Sequence, residues 1–269
     1  MICLVSEADM PQVYRNWEKC FGDTREEIEF FFEVFGNKVQ VYVMKKEAQV
    51  AGQLCLLPVN FHYAAEGSVK TARAAYIYAV ATAPVCRKQG ICTQMLQEIR
   101  EILADKGLCG VLVPAGKELS AFYEKRGYQP CIEEQKIRIQ VTEDIGDAGV
   151  IKECDTDAYI EVRNRTFNGA CGVQESPEMV HYAVESFLKE GGQCLTFAYN
   201  KKDYGVLYKA PAQIRELTAA DEAEAVAASK AFLQTMGKTE GILQRSFKTL
   251  GINLPKEMDK KGCFNLVLE

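Results

Sequence analysis

Histidine is almost missing from this chain: His62 and His181 are the only two in 269 residues. Zinc sites and cysteine–histidine nucleophiles lean on imidazole, so neither is supported, and both histidines read as surface or satisfied core. No metal is expected. CxxC pairs are missing as well, although cysteine itself is abundant at eleven, an odd count. Cys3, Cys55, Cys92, Cys109 and Cys194 fall inside apolar segments, which suits free thiols in a core rather than a disulfide framework. That usage points to a reducing compartment, and the expected location is cytoplasmic. A basic surplus is absent: the net charge is −5 and the pI near 5.4, which argues against a nucleic-acid partner. No apolar run approaches the roughly 18 residues of a membrane helix. The first seven residues, Met1 to Glu7, lack the basic region and length of a signal peptide.

What is present is length and apolar content. With 48% hydrophobic residues, the chain has ample core for one large domain or two ordinary ones. The most informative stretch runs from Tyr76 to Lys106. Tyr76 to Thr82 is aromatic and β-branched, as strands are, and Pro84 ends it because proline brings no amide hydrogen. After Arg87-Lys88-Gln89-Gly90-Ile91-Cys92, apolar residues recur at Ile91, Met95, Ile99 and Ile102, with Cys92, Leu96 and Leu103 beside them. That spacing predicts a helix, closed by Lys106 and Gly107.

The join carries chemistry. The first amides of a helix lack internal partners, and the dipole there is positive. Gly90 lets backbone approach an anion closely, and Arg87 and Lys88 add charge. A phosphate or pyrophosphate suits that place, although an ordinary strand-to-helix turn with solvated basic residues fits the spacing equally well. Gly116-Lys117 superficially suggests a nucleotide P-loop. Gly110 is one residue too far away, and Glu118 stands where a magnesium-binding Ser or Thr is needed.

Arg87 to Cys92 resembles the Arg/Gln-x-x-Gly-x-Gly/Ala pyrophosphate loop of the GCN5-related N-acetyltransferase (GNAT) superfamily. Ala121-Phe122-Tyr123-Glu124-Lys125-Arg126-Gly127-Tyr128 resembles its second hallmark, a short helix ending in Phe-Tyr-x-x-x-Gly-Phe/Tyr. The spacing between the two is also typical. Cys92 departs from the Gly or Ala the family prefers, though it is still small. The resemblance covers the first half and implies a mixed α/β (α+β) acyl-CoA N-acyltransferase fold over residues 1–145.

A second half begins near the Gly/Asp-rich stretch from Gly146 to Gly149 and repeats the order of elements. Thr218-Ala219 falls where Thr82-Ala83 falls, but Ala220-Asp221-Glu222-Ala223-Glu224 has no glycine and no base. Residues 146–269 therefore read as a degenerate GNAT-like domain without a cofactor loop. Tandem arrangements of this kind resemble, more distantly, the enhanced-intracellular-survival (Eis) aminoglycoside acetyltransferases, whose additional C-terminal domain is not in this sequence.

The resemblance implies acetyl-CoA as cosubstrate and a primary amine, on a small molecule or a peptide, as acceptor, attacking directly in a ternary complex. It places the pantetheine arm along the backbone of Val80, Ala81 and Thr82, with an amide near Val80 polarising the thioester carbonyl. The pyrophosphate falls to the amides of Lys88, Gln89, Gly90, Ile91, Cys92 and Thr93, beside Arg87. Tyr123 matches the tyrosine that protonates the departing thiolate. The first two helices would roof the acceptor, with Tyr14, Trp17, Phe30 and Phe31 as facing candidates; the plain alternative is core. A base is not legible: Glu26, Glu29, Glu33, the terminal carboxylate of Glu269 after a strand-like Phe264 to Leu268, and a water relay all stay open. Two further readings compete with the enzyme, a non-catalytic acyl-CoA sensor or interaction module, and a second half that serves as a homo-oligomerisation platform.

Overall fold

The structure, a computed structural model, describes residues 1–146, 149–167 and 170–258. The chain divides into two compact units. One comprises Met1–Cys131 with a return segment from Thr249; the other is built on Ile132–Lys248.

The first unit opens with strand β1 (Ile2–Leu4) and helices α1 (Met10–Phe21) and α2 (Arg25–Phe35). Thr24 caps α2 in a capping box with Glu27, as its spacing predicts. Asp9, ahead of Pro11, is a plausible side-chain cap for α1, but it makes no such bond; its carboxylate turns instead to Lys45 at 2.6 Å and Ser6 at 2.5 Å. A meander follows, β2 (Gln40–Lys46), β3 (Gln49–Ala65) and β4 (Ser68–Thr82). Pro58 does not interrupt β3, because it lies past Leu56, where the pairing with β2 ends. Then come α3 (Ile91–Asp105), β5 (Cys109–Leu112), α4 (Lys117–Glu124) and β6 (Gln129–Ile132).

The second unit runs through β7 (Gln135–Gln140), β8 (Val150–Glu153), α5 (Thr156–Phe167), β9 (Gly172–Gln174) and α6 (Pro177–Lys189). It continues with the hairpin β10 (Gln193–Tyr199) and β11 (Lys202–Lys209), then β12 (Gln213–Leu217), α7 (Glu222–Thr235) and β13 (Glu240–Ser246). Strand β14 (Thr249–Ile252) belongs to the first unit.

The first sheet is ordered β1-β2-β3-β4-β5-β14-β6; the β1–β2, β2–β3, β3–β4 and β5–β14 pairs are antiparallel and the β4–β5 pair is parallel. Its core packs α3 against the strands through Leu54, Leu56, Ile77, Met95, Leu96, Ile99 and Leu103. The second sheet is ordered β7-β13-β12-β11-β10-β8, with β12 and β13 as its parallel pair. Its core gathers Leu195, Phe197, Val206, Ile214, Phe232 and Leu243. Both are mixed sheets in which a helix links the parallel strands.

A division at residue 146 falls inside the second unit. The reason is strand exchange along the chain: β7 pairs with β13, and β14 returns to pair with β5. The strand expected over Phe264 to Leu268, and Glu269 itself, lie outside the described residues.

Candidate active site

Three local features converge at the end of β4. The parallel pairing with β5 is short, Ala74 with Cys109, Ala75 with Gly110 and Tyr76 with Val111. Beyond it β4 continues to Thr82 with no β5 partner, so the edge carrying Val80, Ala81 and Thr82 faces a gap. A bulge lies in the same segment: the register on β3 shifts between Gln53–Ala81 and Cys55–Tyr78, and Ala79 takes a φ of +50°. A bulge re-aims backbone groups, which turns the Val80 peptide away from the regular ladder.

The third feature is the loop into α3. Ala83 ties back to Ala51 O at 2.9 Å, and a single 3-10 turn follows at Pro84–Cys86. Lys88 and Gly90 both adopt left-handed conformations, φ +60° and +80°. Gly90 is the N-cap of α3 and contributes no side-chain cap, unlike Thr24, Ser176 and Asp221 at the starts of α2, α6 and α7. The amides of Ile91, Cys92 and Thr93 therefore point outward at the positive end of the helix dipole. Arg87, Lys88 and Gln89 are exposed around them. The Arg87 guanidinium folds back, with Nη2 3.5 Å from Cys20 Sγ, and Gln89 is held by Lys46 Nζ at 2.8 Å and by Val85 O at 3.2 Å.

Cys92 is half-buried in the first turn of α3. Burial pushes its thiol up to about 11, with Arg126 opposing weakly. It stays a neutral thiol near neutral pH and brings no negative charge to the loop, so the departure from Gly or Ala leaves the loop suited to an anion.

Tyr123, on α4, is buried beside this first turn. It meets the Tyr128 ring edge-on at 5.5 Å, and Cys92 and Arg126 are its ionisable neighbours. Burial raises its phenol well above the ordinary 10, the Cys92 charge adds to that, and Arg126 acts the other way. A phenol so held is a proton donor throughout the neutral range.

Other expected residues sit elsewhere. Trp17 and Phe31 are fully buried and pack on each other at 5.0 Å, and Phe31 stacks on Tyr78 at 5.4 Å. They are core. Tyr14 and Phe30 are half-buried. Glu26, Glu29 and Glu33 lie exposed along α2, without a contact that singles one out as a base. No cluster of three or more His, Cys, Asp or Glu suits a metal ion among the described residues. One residue had no signal beyond its place in an apolar run: Gln53, opposite Ala81 across the bulge, is fully buried, and neither side-chain amide atom has a hydrogen-bond partner.

A family model described as an acetyltransferase (GNAT) domain matches residues 2–131. The first unit is a GNAT domain. Among solved structures, a probable N-acyltransferase from Enterococcus faecalis is similar over 93% of this chain and 72% of its own, with a TM-score of 0.73 and 16% identity. A GCN5-related N-acetyltransferase from Anabaena variabilis gives 0.68 over the same shares, also at 16% identity. Eis1 from Mycobacterium abscessus gives 0.64 at 14% identity, over 90% of this chain and 64% of its own. No curated protein matches. At such identities the likeness is one of fold, and it extends through both units, consistent with a tandem GNAT arrangement.

The second unit rebuilds the same helix entry differently. Asp221 caps α7 by accepting from the Glu224 amide at 2.8 Å, and Glu222 and Glu224 occupy the first turn. One first-turn amide is thus answered by a side chain and carboxylates surround the helix entry, in contrast to the α3 loop.

Proposed function

We propose that the chain transfers acetyl from acetyl-CoA to a primary amine, by direct attack in a ternary complex on the first unit. The observation that carries this reading is the uncapped start of α3 beside the gap left by β4. Outward amides on a left-handed glycine, with basic residues around them, suit a diphosphate. The free edge of Val80 to Thr82 suits the amide-rich pantetheine arm, and acetyl-CoA would supply the activated acyl group.

In this reading Lys88 to Thr93 hold the pyrophosphate through backbone amides. The Val80 amide polarises the thioester carbonyl, where preorganised donors act most strongly. Tyr123 gives its proton to the departing sulfur, a role worth about 10²–10⁴ in rate. The acceptor is a small-molecule or peptide amine, and the second unit contributes no cofactor loop. Among the described residues no helix is long and apolar enough to cross a membrane, which fits a cytoplasmic setting.

The test is a calorimetric titration with acetyl-CoA, followed by thiol release over a panel of amines. Saturable binding with amine-dependent release is the expected result. Tight binding without release would make the first unit a sensor, and no binding would remove the proposal.

A further inference from the structure

We propose that the first unit carries a second ligand site, for a small organic carboxylate with an apolar body, in a cavity between α3 and the turn that follows β14. The cavity measures about 310 Å³, at the lower end of the range of small-ligand sites. Arg100, Gln129, Leu254, Lys256 and Met258 are among its lining residues, and every lining residue belongs to the first unit. None of them is a residue assigned to acetyl-CoA. Arg100 follows Cys92 by eight residues, about 12 Å along a helix.

The walls are fixed in place. Asn253 Nδ2 donates to Arg100 O at 3.0 Å, and Cys109 Sγ donates to Asn253 O at 3.2 Å. Asn253 itself takes a left-handed φ of +54°. Leu254 folds back on Gly251, where a β-carbon would stand 2.5 Å from Leu254 Cδ2. The turn is thus tied to α3 on one side and to β5 on the other. A cavity walled in this way is preorganised, and its ordering cost is already met before a ligand arrives.

Its charge is one-sided. Among the described residues two cations, Arg100 and Lys256, and no carboxylate line it, in a chain whose net charge is −5. On α3 the neighbours of Arg100 at ion-pair spacing are Leu96, Gln97, Leu103 and Ala104, none of them acidic. Its Nη1 lies against Gly127, 3.2 Å from where a β-carbon there would stand. Glu257, beside Lys256 in the chain, is engaged elsewhere, accepting the Tyr63 hydroxyl at 3.2 Å. Neither the Arg100 nor the Lys256 side chain has a hydrogen bond or ion pair among the described residues. A ligand carboxylate matches the planar fork of a guanidinium and gains from a nearby ammonium. Ile252, Leu254, Pro255 and Met258 line the same cavity and would take an apolar body out of water. That union of head and body sets the site apart from solvated surface cations.

The experiment uses the full chain and three probes at matched ionic strength, sodium hexanoate, 1-hexanol and sodium phosphate, read by calorimetry. Saturable heat with hexanoate, exceeding both others and undiminished by saturating coenzyme A, is expected. Arg100→Gln and Lys256→Gln should each weaken it about fivefold or more, and together about tenfold or more. Both positions are exposed, so each variant should melt as wild type does, and either decides the matter if the other fails to fold. No saturable heat with hexanoate, an equal response to hexanol or phosphate, displacement by coenzyme A, or wild-type affinity in a folded variant would overturn the proposal. None of these readouts depends on acetyl transfer by the first unit.

Discussion

Arg126 donates two hydrogen bonds to the hydroxyl of Thr93, from Nε at 2.9 Å and Nη2 at 2.7 Å. Its Nη1 donates to Phe122 O at 2.6 Å, and the guanidinium lies 3.4 Å from the Phe122 ring centre. The end of α4 is thereby fastened to the first turn of α3. That latch holds Tyr123 at a fixed place relative to the first turn of α3. Arg126→Ala should lower turnover about tenfold through misplacement of the phenol, with a smaller change in acetyl-CoA affinity. Thr93→Val, which removes the shared acceptor, should act in the same direction. Steady-state kinetics on both variants checks this; unchanged turnover in both would make the latch purely structural.

Tyr123→Phe keeps the ring packing against Tyr128 and removes the proton. Turnover should fall about 10²-fold or more, while acetyl-CoA affinity measured by calorimetry stays within about twofold. Because burial raises this phenol above 10, its protonated form persists past the pH at which a free tyrosine ionises. The alkaline limb of the wild-type rate profile should therefore show no loss centred at 10, and a loss there would contradict the assigned acid.

Gly52 lets α3 sit close on the sheet. A β-carbon there would stand 2.5 Å from Met95 Sδ, 2.8 Å from Ile91 Cγ2 and 3.3 Å from the backbone oxygen of Ala81. Gly52→Ala should destabilise the first unit by about 1–3 kcal/mol, the usual cost of overpacking, and displace the start of α3. Denaturant unfolding reads the first effect, and weaker acetyl-CoA binding reads the second.

Glu224 ties the α7 entry together, accepting Lys202 at 2.6 Å, Tyr204 at 3.0 Å and the Ala220 amide at 3.2 Å. The Lys202 bond first, against a burial penalty and with help from Tyr204 and Ala220, holds its carboxyl below the ordinary 4.5. A lowered folded value means that the stabilisation is present above 4.5 and fades as pH falls through the folded value. Wild type should lose thermal stability over that acid window more steeply than Glu224→Gln. Parallel pH–melting curves for the two proteins would count against the assignment.

Much of the first unit was legible because its signals are local. Pro84 stops a strand by lacking a hydrogen, Gly90 accepts a left-handed turn, and Ile91 to Leu103 keep helical period. The motif around Tyr123 could be placed on a helix for the same reason, and that helix runs Lys117–Glu124. Asp9 shows the limit, since its capping role was displaced by Lys45, a residue far along the chain. The bulge at Ala79 left no trace in a run of strand-forming residues. Gln53 looked like one polar residue in an apolar strand, and Trp17 and Phe31 looked as ready to face a substrate as to fill a core.

By itself the sequence determined which segments of the first unit form strands and helices and where a helix starts without a side-chain cap, because turn geometry, periodicity and uncapped amides depend on near neighbours. Only the tertiary structure decided that β7 joins β13 while β14 returns to β5, that Arg100 and Lys256 line one cavity, and that Arg126 reaches Thr93. Strand partners and cavity walls are chosen by hydrogen bonds and burial between residues far apart in the chain, and such choices leave no period to read.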